Sequence, residues 1–282
     1  LLFYLRQKKT RIAVVNARMT RKSHRAYMHT RLLWRNLAPQ TILATAPKDA
    51  ERYGLLFPRA RVLTMANMKF DQMASLPGIE QPLDRFRNVL PDHLPLTVLA
   101  SIRRQEEPLI RQLIGRLFDR YPSQIVALFP RHQHRINHWK NQLKSLKIPF
   151  SLRSALRNPV QAPGLILWDT FGELRDIYPL ARTVFVGGSL EPLGGQNFIE
   201  PALAGAVTVT GPYYDDFEWV GDGLFDQRIV LKKNNVDQVE NTMIDALSHP
   251  PCREDLARRC RSYIISRQGG ARFACSEIIK SL

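Results

Sequence analysis

"TVFVGGSLEPLGGQNFIEPALAGAVTVTGP", residues 183–212, reads as strand, glycine-rich turn, short helix and strand in one compact stretch. A β-branched apolar run stops at Gly187, Gly188 and Ser189; a second glycine pair, Gly194 and Gly195, precedes Asn197 and Glu200; a small-residue run then leads into a second β-branched run. A strand that returns in the same direction after a helix is the unit of a parallel sheet. Glycines at its turn let backbone N–H groups approach an anion closely, and the following helix points the positive end of its dipole at the same place. The stretch is therefore expected to be a phosphate or nucleotide cradle, in which the Glu200 carboxylate accepts hydrogen bonds from a ribose diol. The alternative is a pair of tight strand-to-helix turns, with Asn197 capping the helix and Glu200 completing a capping box at its third position.

The same alternation extends outward in both directions. Toward the C-terminal side of the chain's middle, "LPLTVLASI", "SQIVALFPR" and "GLILWD" read as strands, separated by the helical patterns "EEPLIRQLIGRLFDRY", "HQHRINHWKNQLKSL" and "GELRDIYPLA". Before them, "RIAVVNARM", "TILATA" and "ARVLTMANMKF" read as strands, with a basic helix over 20–37 and another over "APKDAERYGLL". Residues 76–95 hold four prolines and read as a connector. The chain is expected to be α/β, with two Rossmann-like domains facing a cleft, the first incomplete. The boundaries predicted are 1–92 for the first domain, 93–265 for the second, and 266–282 for a closing helix that packs back on the first domain. Open α/β sheets bind ligands beyond the carboxyl ends of their strands. Those ends carry Arg131 and His132; Thr170, Gly172 and Glu173; and Gly187, Gly188, Ser189 and Asn197.

With 282 residues, 44% of them hydrophobic, the chain can bury a sizeable core. Cys252, Cys260 and Cys275 lack CxxC spacing, which argues against a disulfide framework or zinc site. No apolar run approaches the ~18 residues of a membrane-spanning helix, and "LLFYLRQKKTRIAVV" has neither the apolar core nor the cleavage site of a secretory signal. The net charge is +16, and from Leu1 to Lys48 there are eleven Lys or Arg and no Asp or Glu. Such a face attracts polyanions. Zinc spacing, an RNP-like aromatic box and a recognition-helix pattern are all missing, so nucleic acid is excluded in favour of an anionic membrane or a phosphorylated substrate. His134 and His138 stand at metal-ligand spacing for one helix face, without a third ligand. Lys69 and Asp71 close the first series, facing the cleft or forming a hinge-stabilising ion pair; Arg18 and Ser23 are candidate acceptor or donor contacts.

The motifs "NARMTRKSHRAY", "NMKFD", "PRH", "WDTFGELRDIYPLARTVFVGGSL" and "GGQNFIEPALAG" together resemble, in order and spacing, the bacterial 3-deoxy-D-manno-octulosonic acid (Kdo) transferases of lipid A glycosylation. The likeness runs from about Arg11 to Phe217, and more loosely to the last helix. It implies a GT-B glycosyltransferase fold, CMP-Kdo as donor, a lipid A precursor as acceptor, inverting chemistry with no metal or cofactor, and peripheral attachment to the cytoplasmic face of the inner membrane. It assigns donor binding to Arg131, His132, Gly172, Glu173, Leu174, Gly187, Gly188, Ser189, Asn197 and Glu200. Arg131 and helix N-termini would neutralise the departing CMP phosphate while Asn197 and Glu200 hold the ribose.

Departures from the family pattern cluster in one loop. Where members carry an Ala-Ser-Thr-His-Glu-Gly-Glu-Glu-like run, this chain has "ASIRRQEE", keeping Ser101, Glu106 and Glu107 but placing Arg103 and Arg104 where His and Glu are common. Ser101 and Arg103 are candidate cleft residues, and the loop is expected to hold a sugar carboxylate or a phosphate. Gln196 stands in place of a His and Ala66 in place of a Gly. The family's acidic catalytic base lies in a segment that would precede Leu1, so this chain is expected to bind CMP-type ligands and to transfer little sugar by itself. Two rivals remain: a GT-B enzyme using a UDP-sugar, and a non-catalytic polyanion-binding protein whose binding is salt-dependent and indifferent to nucleotide.

Overall fold

The computed structural model describes residues 2–8, 10–74, 86, 89–91, 93–160 and 162–280. They divide into two compact units, one formed by Leu1–Leu76 with Tyr263–Leu282 and the other by Pro77–Ser262. The connector expected over 76–95 lies largely outside the described residues.

The smaller unit is built on three parallel strands, β1 (Ala13–Ala17), β2 (Thr41–Ala44) and β3 (Arg61–Thr64), in that order. Its middle strand is the apolar one, and Ile42, Leu43 and Ala44 have no exposed surface. The single basic helix expected over 20–37 is two helices, Arg21–His29 and Arg31–Asn36. Thr30 makes the break: its hydroxyl donates to the Tyr27 carbonyl and accepts from Trp34 Nε1 at 2.8 Å, a local bonding pattern that competes with helix continuation. Neither helix buries a residue, and Leu32, Leu33 and Tyr27 are exposed among the basic side chains. The last helix, Gly270–Ile279, belongs to this unit. Asp71 caps it, accepting from the backbone N–H of Gly269 and of Ala271 at 2.7 Å each, and a Cβ on Gly270 would stand 2.2 Å from the Ala66 carbonyl oxygen. "NMKFD" is thus the seat of the C-terminal helix, with the backbone of Asp71's partners, rather than Lys69, as its target.

The larger unit carries seven strands, all parallel: β4 (Leu96–Ile102), β5 (Ile125–Pro130), β6 (Phe150–Leu152), β7 (Gly164–Leu167), β8 (Ala181–Val186), β9 (Val207–Thr210) and β10 (Val230–Lys232). Their order across the sheet is β10-β9-β8-β4-β5-β7-β6. Strands β4, β5 and β8 read as continuous apolar runs because helices cover both faces, which is why they show no alternation. On the helix Glu107–Arg120, Ile110, Leu113, Ile114 and Leu117 fall on one face and are fully buried. Each such side chain contributes roughly 1.5–3 kcal/mol relative to an exposed one. The edge strands β6 and β10, three residues each, were not anticipated from the sequence, since three residues are too few for a periodic signal.

The chain order explains where a ligand site must form. From β4 the chain winds outward through β5, β6 and β7, then returns to the other side of β4 to lay down β8, β9 and β10. The crevice opened by this reversal lies beyond the carboxyl ends of β4 and β8.

Candidate functional site

Strand β4 ends irregularly. Its register with β5 shifts between Leu99 and Ile102, and Ser101 takes a left-handed conformation, φ +56°. A non-glycine residue held there marks a constrained turn. The next turn, Arg104–Glu106, folds the Glu106 side chain back beneath the end of β8. One oxygen of this fully buried carboxylate accepts from Arg103 N–H at 2.8 Å and from Gly188 N–H at 2.6 Å. The Ser189 and Leu190 N–H groups also lean toward it. Burial raises the Glu106 pKa above the ordinary carboxylate value, and these four N–H groups hold it back.

This is what needs the bare backbone of Gly187–Gly188. A Cβ on Gly187 would lie 2.5 Å from Glu106 Oε1, 2.8 Å from the Ser101 carbonyl oxygen and 2.9 Å from that of Ala100. Gly188 has φ +69°, and its carbonyl accepts from Gly195 N–H at 2.8 Å. Ser189 has no exposed surface: its hydroxyl donates to the Val186 carbonyl at 2.6 Å and accepts from Gly211 N–H at 2.8 Å. The Ser189 hydroxyl is thus spent inside the protein, and the Gly188 N–H is engaged by the protein's own anion.

The second glycine pair continues the same knot. Gly194 (φ +84°) would drive a Cβ to 2.6 Å from an Asp216 carboxylate oxygen, and its carbonyl accepts from Asp216 N–H. Beyond it, Asn197 Oδ1 accepts from Ile199 N–H at 3.1 Å, starting the helix Ile199–Leu203, while Asn197 Nδ2 donates to Glu200 Oε1 at 2.9 Å. The capping arrangement therefore runs side chain to side chain: Glu200 is bonded to the Asn197 amide, not to a backbone N–H. Glu200 remains half-exposed. Burial raises its pKa, opposed by the charge of Arg175 and by the Asn197 amide.

At the other side of the switch, β5 ends in open residues. Arg131 N–H donates to the Ile102 carbonyl at 2.8 Å, which ties the ends of β4 and β5 together and leaves the Arg131 side chain in solvent. His132 is exposed, with its ring stacked on that of His134 at 5.5 Å. His134 lies in the turn Gln133–Arg135, before the helix Ile136–Ser145, so it does not share a helix face with His138; His138 Nε2 faces Glu107 at 3.2 Å. Among the described residues no cluster of three or more His, Cys, Asp or Glu could hold a metal ion.

After β7, the loop 169–173 combines an open rim with a locked base. Gly172 (φ +79°) has open space around it, Phe171 is 67% exposed, and Leu174 opens the short helix Leu174–Ile177. Glu173 turns inward: one carboxylate oxygen accepts from Trp168 Nε1 at 2.8 Å and from Thr170 Oγ1 at 2.7 Å, and Arg153 pairs with it at 3.1 Å. Arg153 also lies over the rings of Phe86 and Trp168. Of the candidates in the smaller unit, Arg18 is exposed with its carbonyl bonded by Tyr53 OH, Ser23 shares the Thr20 cap of its helix, and exposed Lys69 opens the helix Lys69–Ala74.

Comparison with known proteins reaches both units. The family model described as 3-deoxy-D-manno-octulosonic-acid transferase (kdotransferase) matches residues 1–72. The 3-deoxy-D-manno-octulosonic acid transferase of Haemophilus influenzae is 27% identical over 91% of this chain and 61% of its own length; that of Bordetella pertussis is 28% identical over 63% of this chain and 42% of its own. Among solved structures, the C-terminal CMP-Kdo binding domain of WaaA from Acinetobacter baumannii is 26% identical, with a TM-score of 0.57 over 69% of this chain and 97% of that domain. Over most of its length the chain is similar to the Kdo transferases. It spans about two fifths to three fifths of the length of these two curated relatives. The Anabaena Alr3699/HepE structure in complex with UDP, 10% identical with a TM-score of 0.57 over 100% of this chain and 75% of its own, shares the fold, and both units have the parallel α/β build of the GT-B glycosyltransferases.

Beside this Kdo-transferase relationship, the sequence reading missed the centre of the loop. Glu106 was noted as a kept family residue, but its bond to Gly188 links positions far apart in the chain, which no local spacing reveals. Arg175 was missed too. Its signal was its place one residue after the Gly-Glu-Leu motif, which puts it within electrostatic reach of Glu200.

Proposed function

We propose that this chain carries the donor site of a Kdo transferase that moves Kdo from CMP-Kdo to a lipid A precursor, inverting and without a metal. The observation that carries the reading is Glu200: a half-exposed carboxylate at the ligand edge of the sheet, with one oxygen oriented by Asn197 and Arg175 nearby. An oriented carboxylate beside a sheet's switch point is the group a ribose diol requires. Arg131 and His132 then face the nucleotide phosphate, Gly172 and Leu174 line its rim, and Gly187, Gly188, Ser189 and Glu173 hold these groups in place from behind. The catalytic base is assigned to none of the described residues. Arg18, Ser23, Lys69 and Ser101 are proposed for the acceptor side.

The proposal includes peripheral attachment to the anionic cytoplasmic face of the inner membrane. Its support is the surface of the helices Arg21–His29 and Arg31–Asn36, where exposed Tyr27, Leu32 and Leu33 stand among Arg21, Lys22, Arg25, Arg31 and Arg35. Among the described residues no helix is long and apolar enough to cross a membrane.

The test is calorimetric titration with CMP, with UMP as control, on the wild-type chain and on Glu200→Gln. Selective CMP binding that weakens about tenfold or more in the variant supports the reading. Equal binding of CMP and UMP by a folded chain overturns the CMP-Kdo donor in favour of another nucleotide sugar.

A further inference from the structure

Three arginines of the larger unit have a buried Nε with no hydrogen-bond partner: Arg103, Arg111 and Arg153. Two of them have their guanidinium engaged elsewhere. Arg111 Nη2 donates to Ser145 Oγ at 3.3 Å, and Arg153 pairs with Glu173. Arg103 alone of the three has no side-chain partner among the described residues. A buried donor on a permanently charged group, left without an acceptor, is costly and is retained where something outside the chain completes it.

Its setting is specific. Arg103 follows the left-handed Ser101 at the end of β4, on the switch point, and its backbone N–H is pinned by Glu106. The same carboxylate pins Gly188, so one buried anion fixes both the arginine's backbone and the glycine beneath its side chain. A Cβ on Gly188 would stand 3.4 Å from Arg103 Nε and 3.5 Å from its Cδ, and 3.5 Å from Gln196 Cγ. The stem of Arg103 therefore rests over bare backbone, half-buried, at the end of β4. Glu106 Oε1 is taken by the two N–H groups and its buried Oε2 has no hydrogen-bond partner, so neither oxygen bonds the Arg103 guanidinium.

We infer that Arg103 is an oxyanion anchor of the donor site, its Nε–Nη fork donating to a planar or tetrahedral oxyanion of the bound nucleotide sugar. The inference rests on the donor-site reading above and adds to it a recognition residue in the "ASIRRQEE" loop. Two groups of the proposed donor have this chemistry, the sugar's carboxylate and the phosphodiester, and the guanidinium geometry suits both.

The test uses cytidine, CMP and a non-hydrolysable CMP-Kdo analogue as titrants, with wild type, Arg103→Gln and Arg103→Lys. Circular dichroism and the thermal midpoint check that the variants fold. Arg103→Gln is expected to leave cytidine binding within about twofold and to weaken an anionic titrant by about tenfold or more. If the loss is already present with CMP, the anchored group is the phosphate; if it is present only with the analogue, it is the sugar carboxylate. Arg103→Lys is expected to recover part of the loss, since it keeps the charge and lacks the Nε donor. Unchanged binding of all three titrants, or an equal loss with cytidine, overturns the anchor. A wild-type chain that binds cytidine nucleotides no better than uridine ones would instead overturn the donor reading on which the anchor rests.

Discussion

The ends of β8 and β5, the two strands that flank β4 in the larger sheet, look alike in sequence and differ in structure. Both close an apolar strand with residues suited to holding an anion: Gly187–Gly188–Ser189 in one case, Arg131–His132 in the other. At β8 the polar groups turn inward. Glu106 grips the Gly188 N–H, Ser189 bridges Val186 and Gly211, and no surface of Ser189 is left. At β5 only the backbone is used, through the bond from Arg131 N–H to Ile102, and both side chains are in solvent. Glycine-rich composition therefore marks the place where backbone segments must approach each other, and the side chains left in solvent stand across β4, at the end of β5.

The sharpest way to break this contrast is to add one carbon at the end of β8. Gly187→Ala places a Cβ against Glu106 and two carbonyl oxygens that have no room to retreat. The expected loss is about 3 kcal/mol of unfolding free energy, measured by urea denaturation. A loss below 1 kcal/mol, within the range of ordinary surface substitutions, would mean that the knot at β8 is loose.

Glu106→Gln sharpens the same point through pH. The folded protein raises the Glu106 pKa from its ordinary value of 4.5, so the folded state holds its proton more tightly than the unfolded state does. The carboxylate therefore contributes least unfavourably below about pH 4.5, and its charging costs stability as pH rises from there through the raised folded value. Glutamine keeps an acceptor for Gly188 and does not titrate. The stability of Glu106→Gln relative to wild type is expected to improve with rising pH across that window, as read from denaturation midpoints. A flat difference would mean that Glu106 is not desolvated.

The alternation of apolar runs and amphipathic segments, set by local spacing, made the parallel α/β build legible in the sequence, and the motif at 183–212 located its switch. The order β8-β4 at the centre of the sheet follows from long-range pairing and was not readable. Nor was the use of the glycines: from sequence a cradle for a foreign anion and a cradle for Glu106 look the same, because Glu106 and Gly188 are distant in the chain. The seat of Asp71 was hidden for a related reason: its partners, the Gly269 and Ala271 N–H groups, come from the other end of the chain.

Asp71 is the smaller unit's counterpart of Glu106, a carboxylate gripping distant backbone N–H groups, but in a less buried setting. Removing it is accordingly expected to do less. Asp71→Ala should cost about 1 kcal/mol, the ordinary value of a helix cap, and should speed hydrogen exchange at the first turn of Gly270–Ile279 while leaving the amides of β8 protected.

Arg131→Gln is expected to have the smallest effect on the fold and completes the contrast. Its side chain is exposed and makes no hydrogen bond or ion pair among the described residues, so stability should change by no more than about 0.5 kcal/mol. Its backbone bond to Ile102 survives the substitution, so the ends of β4 and β5 stay joined. If the β5 edge is the one that meets the nucleotide, CMP affinity in the same variant should fall about tenfold, and the loss should shrink as salt is raised because an exposed charge is screened. A variant that is both less stable and unchanged in CMP binding would reverse the assignment of the two edges, making β5 the structural one.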